Sequence, residues 1–106
     1  MPLDPSIQIR RVWPKEIRKI FNDGQFWQRE RNGELKSVVM SEGHPTSIKS
    51  GQPRGTKSQM VSYRDEYNNE VARVHQYRRP DGTIGGSGKP DPKKVLYKGI
   101  LYLVIH

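Results

Sequence analysis

The apolar positions along this chain change period in a way that divides it into short elements. Ile17, Ile20 and Phe21 fall at i, i+3 and i+4, the spacing of one helix face. Pro14 stands where such a helix would begin, because its missing N–H is unpaired there in any case. Asn22-Asp23-Gly24 closes the stripe, with Gly24 expected just past the helix end. Ahead of it, Ile7, Ile9 and Val12 predict a short edge strand. Trp13 and Trp27 bracket the helix and are expected to staple it to a sheet.

Beyond the helix the pattern shortens to a period near two. Residues 25–31 and 34–40 flank Asn32-Gly33, a pair that tolerates positive φ and so marks a hairpin, with Phe26, Trp27, Val38 and Val39 facing inward. A helix over 34–40 is the alternative. Residues 60–67 and 70–77 flank Asn68-Asn69 as a second hairpin. Val61, Tyr63, Asp65 and Tyr67 would share one face of the first strand. On the second, Val71, Arg73, His75 and Tyr77 oppose Ala72 and Val74. Residues 95–97 and 100–105 flank Lys98-Gly99 as a third. The last of these strands, Ile100 to Ile105, is apolar on both faces and suits the interior of a sheet. Half-buried sheet packing is the expected role of the tyrosines.

The predicted fold is α+β: one N-terminal helix packed on a small antiparallel sheet of about five to six short strands. An all-β, barrel-like sheet with a minor helix is the alternative. Residues 1–106 read as a single domain, with a loose N-terminal arm at 1–5 and a long basic loop at 43–58. That loop carries Lys49, Arg54 and Lys57 and no acid, and such length between elements usually serves function.

Composition adds a partner to this picture. Nineteen Lys and Arg against eleven Asp and Glu give a formal charge of +8. With a pI near 10.0, that fits an anionic partner, either nucleic acid or an acidic or nucleic-acid-binding protein. Only 32% of residues are hydrophobic, which predicts a thin core. The absence of cysteine removes disulfides and thiolate chemistry. The first residues lack the basic and apolar regions of a signal peptide, and no apolar run is long enough for a membrane span. The expectation is a cytoplasmic protein with no membrane partner and no cofactor.

Candidate chemistry concentrates between Arg73 and Lys98, where seven basic residues meet two acids. Pro80-Asp81-Gly82 reads as a turn. Gly85, Gly86 and Gly88 are expected to leave backbone N–H groups exposed as an anion-binding nest. Arg73, Arg78, Arg79, Lys89, Lys93 and Lys94, with Tyr77, Arg54 and Lys57, are the candidate nucleic-acid contacts; flanking Tyr77 and Tyr97 would stack bases. Gly88-Lys89 does not open a nucleotide-binding P-loop, because Thr83 stands where the pattern needs Gly and Pro90 where it needs Ser or Thr.

Two nuclease readings are weaker. Asp81, Asp91 and Lys93 match the loose PD-(D/E)xK spacing of magnesium-dependent nucleases, with Glu16 as a third ligand, but Pro92 sits where a strand would need its N–H. Alternatively His75 is the acid/base of a metal-free ribonuclease, with Arg73, Arg78 or Lys89 on the phosphate. Three scattered histidines do not form a metal-binding pattern, so no resident metal is expected.

The run from His75 to Lys93, with Gly99 and the final apolar strand, resembles the C-terminal ends of small uncharacterised proteins of bacterial and phage genomes. The resemblance covers about a quarter of the chain and implies no activity. It implies a phage or mobile-element origin, and with it a second role: an effector that binds and inhibits a host or defence protein. The leading expectation remains a non-enzymatic basic module that contacts the phosphate backbone through the loop from Arg78 to Lys94.

Overall fold

The computed structural model describes residues 6–44, 51–86 and 88–106. Strand β1 (Gln8–Val12) leads into helix α1 (Pro14–Asp23) and the single-turn-and-a-half helix α2 (Phe26–Arg31). Five strands follow: β2 (Lys36–Gly43), β3 (Lys57–Arg64), β4 (Glu70–Arg78), β5 (Asp91–Tyr97) and β6 (Ile100–Val104). They form one six-stranded sheet in the order β1-β6-β5-β4-β3-β2. All neighbours are antiparallel except β1 and β6, which run parallel with Gln8 opposite Ile100 and Val12 opposite Val104. The α+β expectation holds, with the sheet open rather than closed into a barrel.

Both helices lie on one face, α1 over β5 and β6. The period of two decides which side chains meet them. Val61 and Tyr63 of β3, Ala72 and Val74 of β4, and Val95 of β5 point to the helices and are buried with Ile17, Phe21, Phe26, Leu35, Val12 and Val104. Phe26 is the pivot. Its ring stacks on Phe21 at 5.7 Å and meets Tyr97 edge-on at 6.0 Å, while Phe21 reaches Tyr63 at 6.0 Å.

The first expected hairpin is wrong. Residues 26–31 are helical, and strand begins only at Lys36. The helix at 34–40 is absent as well. Phe26 could meet Phe21 only if the chain reversed directly after α1, and it does so with Gln25 in the left-handed region (φ 54°). Gly24 has an ordinary right-handed φ of −81°. What requires glycine is space: a Cβ there would stand 2.3 Å from Phe26 Cε2. Asn32-Gly33 then stops α2 rather than turning a hairpin, with Asn32 N donating to Gln28 O at 2.9 Å.

Trp13 is 60% exposed and staples nothing, whereas Trp27 is half-buried against the core. The second and third hairpins form as expected, although β3 ends at Arg64, so Asp65 and Tyr67 lie in the turn. Lys98 and Gly99 take φ of 51° and 78°, the pair of positive angles that joins tightly twisted strands. Residues 43–58 are partly strand, with β2 running to Gly43 and β3 starting at Lys57; residues 1–5 and 45–50, including Lys49, lie outside the described residues.

Three bulges bend the sheet, leaving Met40, Val71 and Lys93 without a cross-strand partner. The one at Lys93 explains how Pro92 occupies an interior strand. Pro92 faces Val74 at the irregularity, and the ladder with β6 starts only at Lys94, so its missing N–H leaves no gap.

Phe26→Ala should remove the contact that joins both helices to the sheet. The expected loss is about 3–5 kcal/mol of unfolding free energy, read from a denaturant melt followed by circular dichroism.

Candidate nucleic-acid interface

The segment between β4 and β5 is a compact hairpin. Arg78 bridges to Ile84, Arg79 N donates to Thr83 O at 2.9 Å, and Gly82 N donates to Arg79 O at 2.8 Å. The Asp81 carboxylate accepts Thr83 N–H at 2.9 Å and Thr83 Oγ1–H at 2.6 Å. These bonds, with help from Arg79, hold its pKa below the usual carboxylate value. Two of the three glycine amides expected to form a nest are already bonded. Gly85 N donates to Tyr77 O at 2.7 Å and Gly88 N to Gly85 O at 3.3 Å. Those two donors are not open to an anion.

Alternation along the strands sends the candidate cations to two faces. Lys57 stands opposite Arg78 in the register, on the helix side of the sheet but beyond the reach of the helices. With Arg79, Gly55 and Pro80-Asp81-Gly82 they line a recess of about 320 Å³. Arg79 is fixed there by donating to Gln52 Oε1 at 2.9 Å. Lys57 lies 3.5 Å from Glu42, while Arg78 has no carboxylate partner among the described residues. Arg54 lies in the exposed turn leading into β3. Lys89 folds back until its Nζ is 6.0 Å from the Trp27 ring, which Arg31 also approaches at 4.8 Å.

The other face of the sheet carries the remainder. Arg73 and Lys94 share the Glu70 carboxylate at 3.1 and 2.8 Å, and Lys93 pairs with Asp91 at 2.9 Å. Burial alone would raise the Glu70 pKa, but bonds from Lys94, Ser62 and Arg73 outweigh it and hold the group ionised below its usual range. Tyr77 sits edge-on to His75 at 4.9 Å. Tyr97, expected as its partner in stacking bases, points instead to Phe26 on the helix side.

His75 belongs to this second face. Its Nε2 lies 2.7 Å from Ser58 Oγ, and Asp91 is its cross-strand neighbour. Burial lowers its pKa and Lys93 lowers it further, against the opposing pull of Asp91. The imidazole is therefore neutral near pH 7 and has a hydrogen-bond partner. Asp81 and Asp91 do not converge: one caps the hairpin tip and the other faces His75. Glu16 is exposed in the first turn of α1. No cluster of three His, Asp or Glu suited to a metal ion occurs among the described residues.

One hollow was not expected from the sequence. Trp27, Glu30, Ser37, Val39, Gln59, Val61, Tyr63, Gln76, Arg78 and Ile84 line a cleft of about 120 Å³ between α2 and the uncovered end of β2, β3 and β4. Gln59 is buried; it donates to Glu42 Oε2 at 2.7 Å and accepts from Gln76 Nε2 at 2.9 Å. The signal was present: two glutamines stand at inward positions of adjoining strands, where alternation calls for apolar residues. Among the described residues no helix is long and apolar enough to cross a membrane. Comparison with protein-family models, curated proteins and solved structures found no match.

Two of the shifted groups, His75 and Glu70, make stability fall on the acid side in two steps. Folded His75 resists protonation, so below about pH 6.5 the unfolded chain binds more protons and stability drops until the folded imidazole also titrates. Folded Glu70 holds its charge, so its contribution is complete above about pH 4.5 and is lost below it. His75→Gln should flatten the upper step and leave the lower one, as measured by urea midpoints from pH 7.5 to 3.5.

Proposed function

We propose that this chain is a nucleic-acid-binding module that holds the phosphate backbone through Lys57, Arg78 and Arg79. The supporting observation is the recess these residues line beside the Pro80-Asp81-Gly82 turn: Lys57 lies 3.5 Å from Glu42, but the guanidinium groups of Arg78 and Arg79 have no carboxylate partner among the described residues, and the Asp81 carboxylate already bonds Thr83. Arginine guanidinium groups suit phosphate oxygens because their donors lie in a planar fork. The reading refines the expectation of a continuous basic loop: Arg73, Lys93 and Lys94 lie on the opposite face and spend their charge on Glu70 and Asp91. Cytoplasmic residence and a phage-like origin belong to the same proposal and rest on composition and on the C-terminal resemblance.

Binding of a fluorescent oligonucleotide should weaken steeply with salt. Lys57→Ala with Arg78→Ala should lower the slope of log K against log salt by roughly 1.5 units, about 0.7–0.9 for each phosphate that is no longer neutralised. Arg73→Ala with Lys94→Ala should change it little. Equal weakening by both pairs would move the interface to the other face, and no binding at low salt would overturn the reading. Capture of a host protein that survives nuclease treatment would favour the effector role instead.

A further inference from the structure

We infer that the cleft beside Trp27 is a subsite for one unpaired nucleobase, with the attached phosphate held in the adjoining recess. The inference rests on the nucleic-acid reading and adds what the strand must present. Arg78 lines both hollows, so the cleft and the cationic recess share a wall. That is the arrangement a nucleotide unit requires: a flat apolar ring and an anion a few ångströms away.

Size limits what enters. A cavity of roughly 150 Å³ takes up a benzene-sized molecule, and the cleft measures about 120 Å³, so it admits the edge of one base while the rest of the ring stays outside. A duplex cannot enter it, whereas a splayed base of a single strand can, and unpaired bases are commonly read by aromatic walls and edge hydrogen bonds. Trp27 supplies an indole already approached by Arg31 and Lys89. Tyr63 supplies a second aromatic wall, and its hydroxyl is kept neutral, since burial raises its pKa and Glu30 adds to the effect.

The polar atoms in the cleft are only partly used. Gln76 gives one N–H to Gln59, which leaves its Oε1 and its second N–H unclaimed among the described residues. One Glu30 oxygen accepts from Ser37 Oγ at 3.2 Å, and the other has no donor there. The Gln59 bonds to Glu42 and Gln76 fix the Gln76 amide in place. A fixed amide offering one donor and one acceptor side by side matches an adenine edge, the pairing that glutamine makes in nucleic-acid grooves. The carboxylate of Glu30 accepts from an exocyclic amino group. The cleft therefore favours amino-bearing bases over uracil and thymine.

The test uses the full chain in a Trp13→Phe background, so that Trp27 is the sole indole. Four homopolymeric ribo-hexanucleotides, one abasic hexanucleotide and four free nucleoside monophosphates are titrated at low salt while Trp27 fluorescence is followed. The expected result is quenching by hexa-adenylate with affinity about tenfold or more above hexa-uridylate and the abasic strand. Gln76→Leu should erase that difference while leaving abasic-strand affinity unchanged, and Gln76→Glu, which keeps the shape, should also erase it. Thermal melts of both variants check that the fold persists. The same base order among the free monophosphates would assign the site to a free nucleotide; no monophosphate binding would assign it to a strand. Equal affinity for all hexanucleotides, abasic included, overturns the subsite and leaves backbone binding intact. No binding by any hexanucleotide overturns both.

Discussion

The stack of Phe26 on Phe21, with Tyr63 and Tyr97 around it, holds the helix layer to the sheet. Only a third of this chain is hydrophobic, and the buried set is correspondingly short. Large aromatic rings offset that shortage because each buries more surface than an aliphatic side chain. Their grouping fixes the angle of α2, and α2 in turn brings Trp27 and Glu30 to the rim of the sheet. The helices cover β5 and β6 but leave the far ends of β2, β3 and β4 uncovered, which is why a hollow exists there.

Strand alternation then sorts the charge. A segment that is uniformly basic along the chain becomes two chemically different surfaces once it is folded into β4, a hairpin and β5. Arg73 and Lys94 meet a carboxylate held ionised by their own presence, an arrangement that stabilises the sheet more than it attracts a ligand. Arg78, one strand face away, has no such partner among the described residues and stands at the junction of two hollows. The bulge at Lys93 permits the division: it admits Pro92 to an interior strand and sets Lys93 against Asp91 beside His75.

Elements with strong periodicity were legible in the sequence: α1 from its stripe, β4 from the opposition of Val71, Arg73, His75 and Tyr77 to Ala72 and Val74, and the final hairpin from Lys98-Gly99. The α2 segment was not, because Asn-Gly after an aromatic pair reads equally as a hairpin turn or a helix stop, and the contact that decides it, Phe26 on Phe21, is tertiary. Nor could the parallel partner of β1 be read, since pairing over such separation leaves no local mark. For the candidate site, the cations were legible as residue types. Their division between faces follows only once the registers are known. Of the glycines that looked like an anion cradle, Gly85 and Gly88 donate their amides inside the hairpin, and for Gly85 that depends on where Tyr77 O lies.

The parallel pairing of Gln8–Val12 with Ile100–Val104 bears on how the chain is made. As the polypeptide leaves a ribosome, β1 emerges early and has no neighbour until β6 follows, so the antiparallel sheet from β2 to β5 can assemble while β1 waits. Contacts of such sequence separation form slowly, because the intervening chain must close first. Until they form, β5 carries an open edge, and a transcript cut short within β6 would leave that edge permanently available to another chain. Synthesis of β6 is therefore the event that covers β5 and moves the edge of the sheet out to β1.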